Sequence, residues 1–398
     1  MENIEQNVRD ILKNVKINGD DALIAYSQKF DKVKILKKNL LLDVFSFKPF
    51  LKAIPSELLA SLEQAKKNIF DYHQAQFENI LSSSLTFNVK NGAHIHEKIT
   101  TIERVGIYVP GGKFSYPSSV LMTVLPAKAS GVKEIIVATP MKNLTDVVKA
   151  ALFLAGVDKV LVVGGAQAVA AMAYGTETID KVDMIVGPGN AYVTEAKRQV
   201  FGSVGIDMLA GPSDVTIFAN KDIPTDWIVA DLHAQAEHDP MSRATLISID
   251  LQLIDAVRAN ILPQFLAQIF FIKQNNILEC THFINKVAPE HLEILTLDKS
   301  FAEEILSHIN HAGAVFVGGR TTVAMGDYYL GPSHTLPTGS RAKFSSGLSV
   351  HTFIKRIAVM TANAIFVEKE TENIANIADS EGLKFHADSL RSRLSKKI

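Results

Sequence analysis

Hydrophobic residues along the chain follow two different periodicities. Near the N-terminus, Val8, Ile11, Leu12 and Val15 recur at intervals of three and four between charged residues, which predicts an amphipathic helix. From residue 104 onward, apolar residues instead form short β-branched runs that end near glycine, each followed by a segment of helix length. Alternation at this spacing is typical of βαβ units, so it predicts an α/β protein with parallel sheets.

The predicted strands fall into two groups, separated near residue 213, and each group predicts its own sheet. The first group comprises residues 105–109, 134–138, 160–163 and 184–186, and the second comprises residues 215–218, 244–247 and 314–317. Beyond Ser345 the alternation of strands and helices gives way to short helical stretches. We therefore predict a discontinuous α/β domain of residues 1–107 and 215–345, a second α/β domain of residues 108–214, and a small C-terminal tail domain of residues 346–398.

Composition narrows the class of protein. The chain has 398 residues, 47% of them hydrophobic, which suffices for two or more domain cores. Its 41 basic residues balance 42 acidic ones, so no net field draws it to nucleic acid or an anionic membrane, and a small molecule is the expected partner. Cys280 is the single cysteine, which excludes an intramolecular disulfide and fits a reducing cytoplasm. Its helical surroundings predict a buried, inert thiol.

Gln235 and His238 are the first candidate metal ligands. They follow the helical run 227–232, and a spacing of three places both side chains on one face of a helix. Zinc accepts both an amide oxygen and an imidazole nitrogen, so the two side chains can point at one ion. The alternative is a surface pair of His238 and Asp239 at a helix end, which this segment favours when considered alone.

Glu290 and His291 form a candidate acid/base pair. Pro289 cannot continue the preceding helical run, so it predicts a turn that carries both side chains. Two adjacent groups of this kind would serve two proton transfers on one substrate, since an imidazole has a pKa near the working pH. A helix-capping pair is an equally good interpretation of this segment alone.

Two later segments carry further ligand-type residues. Asp327 and His334 flank a glycine-proline turn, where a carboxylate would complete a nitrogen and oxygen ligand set. Glu381 and His386 lie near the C-terminus. A solvated tail is the plainer interpretation of that last segment from composition alone.

Glycine-rich turns follow three of the predicted strands, at residues 110–112, 164–167 and 187–190. Such turns let a phosphate or ribose approach backbone amides at the start of a helix. None is a full G-x-G-x-x-G with an acidic residue about 20 positions on, so a standard dinucleotide site is not predicted. A modified dinucleotide site and ordinary tight βα turns are the two interpretations that remain.

The same segments, taken in order, resemble the histidinol dehydrogenase family almost end to end. The similarity is carried by residues 104–112, 164–168, 187–197, 210–213, 235–238, 288–292, 326–328 and 344–350. It implies two incomplete Rossmann-like parallel-sheet domains with a small helical C-terminal appendage. It also implies NAD-dependent, four-electron oxidation of L-histidinol to L-histidine through bound L-histidinaldehyde, by a cytoplasmic homodimer with intertwined tails.

The resemblance also assigns roles to individual residues. One zinc ion per subunit would be held by Gln235, His238, Asp327 and His386, with His386 donated by the other subunit. Glu290 and His291 would be the acid/base residues, and substrate would contact these six residues together with Ser213, His334 and Glu381. The positions that match the family's NAD contacts are Tyr108, Gln167 and Asn190.

Two other functions are compatible with parts of this pattern. A zinc hydrolase would use the same metal ligands to activate water, but it leaves Tyr108, Gln167 and Asn190 without a role. A catalytically idle binding protein would keep the fold and bind substrate without turnover. The presence of both Glu290 and His291 argues against that second alternative.

Overall fold

The computed structural model of the chain describes residues 3–111 and 116–394, so Gly112 of the first glycine turn lies outside the described residues. The chain forms two compact units. The first consists of Met1–Gln74 and Ile102–Phe353, and the second of Ala75–Thr101 and Ile354–Ile398. The domain boundaries proposed above remain a prediction.

The strands are numbered in chain order. They are β1 (Leu41–Asp43), β2 (Thr86–Val89), β3 (Ala93–Thr101), β4 (Arg104–Tyr108), β5 (Glu134–Ala138), β6 (Lys159–Leu161), β7 (Met184–Val186), β8 (Gly205–Ile206), β9 (Asp214–Ala219), β10 (Arg243–Ser248), β11 (Ile269–Lys273), β12 (His291–Leu295), β13 (Ala314–Val317) and β14 (Ile354–Ala362).

The α-helices are numbered in the same way. They are α1 (Ile4–Tyr26), α2 (Ser56–Ser82), α3 (Pro117–Ala129), α4 (Asp146–Ala155), α5 (Gly165–Tyr174), α6 (Ala191–Val200), α7 (Thr225–Glu237), α8 (Leu251–Ala259), α9 (Ile277–Val287), α10 (Lys299–Ser307), α11 (Val323–Tyr328), α12 (Ala364–Ser380) and α13 (Lys384–Arg391).

The first sheet has the strand order β1-β6-β5-β4-β7-β8, and all its pairings are parallel except that of the edge strand β1. Alternate residues of its strands face two hydrophobic cores. In β5, Ile135 and Val137 pack in the core that includes α3 and α4, whereas Ile136 and Ala138 pack in the core that includes α1 and α5. Burial on both faces explains why the sequences of these strands are continuous apolar runs.

The second sheet is fully parallel, with the order β11-β10-β9-β12-β13. Its faces are also covered by helices, with Val215 and Ile217 in the core beside α7 and α8, and Phe218 in the core beside α9 and α10. Each predicted strand corresponds to a strand of one of these sheets. The predicted α/β class with two parallel-strand sheets is confirmed.

The second unit contains an antiparallel sheet of order β14-β3-β2, and the helices α12 and α13. The predicted helical C-terminal region is therefore confirmed, while the strand β14 within it was not predicted. Across the described part of the chain, none of the helices is both long and apolar enough to cross a membrane.

Candidate active site

The glycine turns lie at the carboxyl ends of the strands of the first sheet. The strand order reverses between β4 and β7, which is where α/β sheets usually bind ligands. Gly187, directly after β7, has a φ of +104°, and a Cβ atom there would lie 2.3 Å from the carbonyl oxygen of Tyr108. Only glycine lets these two backbones approach so closely.

A cavity of about 670 Å³ opens at these turns, and it brings together all three predicted NAD-contacting residues. The Tyr108 hydroxyl accepts a hydrogen bond from the Gly165 amide at 2.9 Å, and burial raises the pKa of Tyr108 to about 12. Asn190 caps α6, since its side-chain oxygen accepts hydrogen bonds from the amides of Tyr192 and Val193 at 3.0 and 3.1 Å. Gln167 is buried in the first turn of α5.

A second cavity, of about 230 Å³, lies at the amino ends of β9 and β12 in the second sheet. Residues from the first sheet's turns, Pro110 and Pro188, also line it. Pro188 and Asn190 are two positions apart in one turn and line different cavities. The predicted site residues that line this second cavity are Ser213, Gln235, His238, Glu290, His291, Asp327 and His334.

Glu290 is fixed by a network of hydrogen bonds. The Ser213 hydroxyl donates to Glu290 Oε2 at 2.5 Å, and the Asp214 amide donates to the same oxygen at 3.1 Å. The side-chain amide of Gln235 donates to the Ser213 hydroxyl oxygen at 3.1 Å. Burial raises the pKa of Glu290 to about 6, although the charge of His291 and these hydrogen bonds oppose the rise.

His291 lies between two carboxylates. Its Nε2 atom is 3.5 Å from Asp327 Oδ1, and its Nδ1 atom is 3.8 Å from Glu290 Oε2. Burial alone would lower the pKa of His291, but Asp327 and the charges of Glu290 and Asp214 outweigh it and raise the pKa to about 9. The site therefore stabilises a protonated imidazole.

Asp327 and His334 are held against each other. The ring Nδ1 of His334 lies 3.0 Å from the backbone oxygen of Asp327. Burial would raise the pKa of the Asp327 carboxyl, but the imidazole of His291, 3.5 Å away, and the charges of His334 and His238 lower it. For His334, burial lowers the imidazole pKa.

Three of the four residues predicted to bind metal line the same cavity. Gln235, His238 and Asp327 line one cavity, and they offer an amide oxygen, an imidazole and a carboxylate, a donor set that suits zinc. Within residues 3–111 and 116–394, no three His, Cys, Asp or Glu side chains are grouped closely enough to hold a metal ion. Of the three residues in this cavity only His238 and Asp327 are of those types, because the third, Gln235, carries an amide. Glu381 and His386 are exposed residues of the second unit.

Local structure differs from the sequence interpretation at several of these residues. His291 was expected in a turn, yet it is the first residue of β12, and Asp327 lies in the short helix α11. Cys280 is buried in α9 as expected, and burial raises its thiol pKa to about 11. Asp214, which binds Glu290, carried no signal in the sequence beyond its position next to Ser213.

Comparison with known proteins decides the family. The model of the family described as histidinol dehydrogenase matches residues 1–394. This chain belongs to the histidinol dehydrogenase family. The histidinol dehydrogenase of Nitrosospira multiformis is 42% identical over 411 residues, covering 99% of this chain and 92% of that protein. The histidinol dehydrogenase of Streptococcus mutans is 42% identical over 407 residues, covering 99% and 93%.

A solved structure agrees with this family assignment. The crystal structure of histidinol dehydrogenase from Elizabethkingia anophelis is similar with a TM-score of 0.92 and 32% identity, covering 99% of this chain and 93% of that one. Succinate-semialdehyde dehydrogenase from Burkholderia pseudomallei is similar with a TM-score of 0.51 and 11% identity, covering 87% and 90%. That second similarity shows a shared fold alone.

Proposed function

We propose that this chain oxidises L-histidinol to L-histidine in histidine biosynthesis, with NAD as the electron acceptor and one zinc ion per subunit. The observation that carries the proposal is a pair of adjacent cavities. Within the turn 187–190, Asn190 lines one of them and Pro188 lines the other. One cavity contains Tyr108, Gln167 and Asn190, and the other contains a buried Glu-His pair. A dehydrogenase needs a cofactor site next to an acid/base site, so that a hydride can pass from the substrate to the cofactor.

The larger cavity is the proposed NAD site. Its size suits a ligand larger than an amino alcohol, since ligand pockets commonly measure about 300–1,000 Å³. The N-terminus of α5 opens toward it without a side-chain cap, because the N-cap residue is Gly164. Bound NAD would supply the hydride acceptor for both oxidation steps.

Gln235, His238 and Asp327 would hold zinc, with His386 of a second subunit as the fourth ligand. Bound zinc would supply orientation and polarisation of the substrate's alcohol. The amide nitrogen of Gln235 is directed to Ser213, so the carbonyl oxygen of that amide is the atom that would meet a cation. Ser213, His334 and Glu381 would contact the substrate.

His291 is the proposed base for both oxidation steps. It accepts the hydroxyl proton of histidinol, and later that of the aldehyde hydrate. The neighbouring carboxylates of Glu290 and Asp327 stabilise the imidazolium that forms on accepting a proton. Because they also raise the pKa of His291 to about 9, only its unprotonated fraction can act as the base, and turnover should rise with pH up to about that value. Glu290 has a raised pKa of about 6, so it is ionised at neutral pH and can take a proton from the water that adds to the bound aldehyde.

Absorbance of NADH tests the proposal directly. Addition of L-histidinol and NAD to the purified protein should produce NADH and L-histidine, with two NADH formed for each histidine. Chelation followed by dialysis should abolish turnover, and zinc should restore it. A zinc hydrolase would give no NADH, and an idle binding protein would leave histidinol unchanged after prolonged incubation, so either result would contradict the proposal.

A further inference from the structure

A buried ion pair lies beneath the turn that separates the two cavities. Lys197 in α6 and Asp207 after β8 form this pair, and each side chain is only 2% exposed. Charged side chains are rarely buried so completely unless they are paired. A buried ion pair is nevertheless weak evidence for a contribution to stability, because desolvation offsets the attraction. Its contacts are therefore the better guide to its role.

Both members of the pair bind the same residue, Gly187. The Lys197 ammonium donates a hydrogen bond to the Gly187 carbonyl oxygen at 2.9 Å, and the Gly187 amide donates to Asp207 Oδ2 at 2.8 Å. The pair thus holds both backbone polar groups of the residue that begins the turn 187–190. Hydrogen bonds to charged groups are stronger than neutral ones, so this turn is held more firmly than an ordinary βα turn.

The same contacts extend toward both cavities. On the NAD side, Gly187 packs against the backbone of Tyr108. The hydroxyl of Tyr108 accepts a hydrogen bond from the Gly165 amide. On the acid/base side, Asp207 Oδ1 accepts the amide of Met208 at 2.6 Å, and Met208 lines the smaller cavity. One ion pair is therefore connected through short contacts to the walls of both sites.

We propose that Lys197 and Asp207 are positioning residues that set the separation between the NAD site and the Glu290–His291 pair. The inference rests on the proposed function, since it concerns hydride transfer between substrate and NAD. Hydride transfer requires reacting atoms in near-attack geometry, and a displacement of about 1 Å costs roughly 100-fold in rate. A turn whose two ends line the two cavities is where such a displacement would arise.

The test uses the double variant Lys197→Met/Asp207→Asn, which removes both charges and leaves no unpaired buried ion. The matched control is Lys128→Met/Asp158→Asn, at the opposite end of the first sheet. There Lys128 lies 3.2 Å from Asp158, which also accepts a backbone amide, that of Ile135, at 2.8 Å. The control therefore removes another lysine-aspartate pair that binds a backbone amide, one whose side chains are 25% and 40% exposed, without touching either cavity.

In the Lys197 and Asp207 variant we expect kcat to fall about 10- to 100-fold and the KM for NAD to rise. The isotope effect with histidinol deuterated at its alcohol carbon should increase, because hydride transfer becomes slower relative to the other steps. Zinc affinity, measured by competition with a chelator, should stay within about twofold of wild type, since no proposed ligand is changed. The control variant should leave all four quantities near wild type.

Wild-type kcat, KM and isotope effect in the Lys197 and Asp207 variant would overturn the proposal, and so would equal losses in the control. Absence of NADH formation by the wild-type protein would refute the proposed function instead. Should that double variant not fold, Lys197→Gln/Asp207→Asn, which also leaves no unpaired buried ion, carries the same measurements. If neither variant folds, the pair is a requirement of folding and the positioning role is rejected.

Discussion

Burial of the ionised Glu290 carboxylate in the site lowers the stability of the folded protein at neutral pH. This carboxylate is almost fully buried, and burial raises its pKa from 4.5 to about 6. A raised pKa means that the folded chain binds a proton more tightly than the unfolded chain. The resulting stabilisation is present below about pH 4.5 and is lost as the pH rises through about 6.

Glu290→Gln should therefore stabilise the metal-free protein at pH 8, by roughly 2 kcal/mol in the free energy of unfolding. At pH 4.5 the variant and wild type should differ little, because the wild-type carboxyl is then protonated in the folded state. Urea unfolding at both pH values measures the difference. A variant that is less stable than wild type at pH 8 would contradict this explanation.

The two catalytic side chains should also separate in kinetics. Glu290→Gln should slow oxidation of supplied histidinal by about 100-fold or more while leaving the first hydride transfer nearly intact, because only the second stage consumes water. His291→Asn should impair both stages. Single-turnover measurements of each stage provide the comparison, and equal losses in both stages for Glu290→Gln would reject the division of roles.

At the scale of elements, the sequence predicted those strands whose apolar runs are buried on both faces. It did not predict β12, because Glu290 and His291 come directly after Pro289 and the segment suggests a turn. It also did not predict the two-residue strand β8, which is too short to show a periodicity. Both strands lie close to the proposed site, β12 at its acid/base pair and β8 just before Asp207.

The candidate site was predictable only in part, and for a related reason. Residue types and the family resemblance indicated Glu290, but its hydrogen bonds come from Ser213 and Asp214, at the start of a strand distant in sequence. Likewise, Lys197 reads as an ordinary helix residue, and only the fold places it against Gly187. Such contacts depend on strand order, which no local pattern encodes.

The N-cap of α6 gives a prediction at this scale. Asn190→Ala should cost about 1 kcal/mol of stability through loss of the cap, and it should also weaken NAD binding. Asn276→Ala is the matched control, since Asn276 caps α9 by accepting the Glu279 amide at 2.9 Å. Calorimetric titration with NAD should distinguish the two variants. Equal NAD affinity in both would remove Asn190 from the proposed cofactor site.

For the whole molecule, the proposed dimer gives a complementation test. His238 belongs to the first unit and His386 to the second, and the proposal joins them in one zinc site across two subunits. His238→Ala and His386→Ala should each be inactive alone. A mixed dimer would contain one site with both lesions and one with none, so refolding an equal mixture should recover roughly a quarter of wild-type activity. A tail that serves its own subunit would give no recovery.

The two sheets use opposite ends of their strands for the proposed chemistry. The first sheet presents its glycine turns at carboxyl ends, whereas the second presents Ser213 and Glu290 at the amino ends of β9 and β12. The carboxyl end of β9 is thus separated from the site by the length of the strand, roughly 20 Å. Lys221, exposed just beyond that end, is a suitable handle for covalent immobilisation on a solid support, because attachment there leaves the mouth of the smaller cavity free.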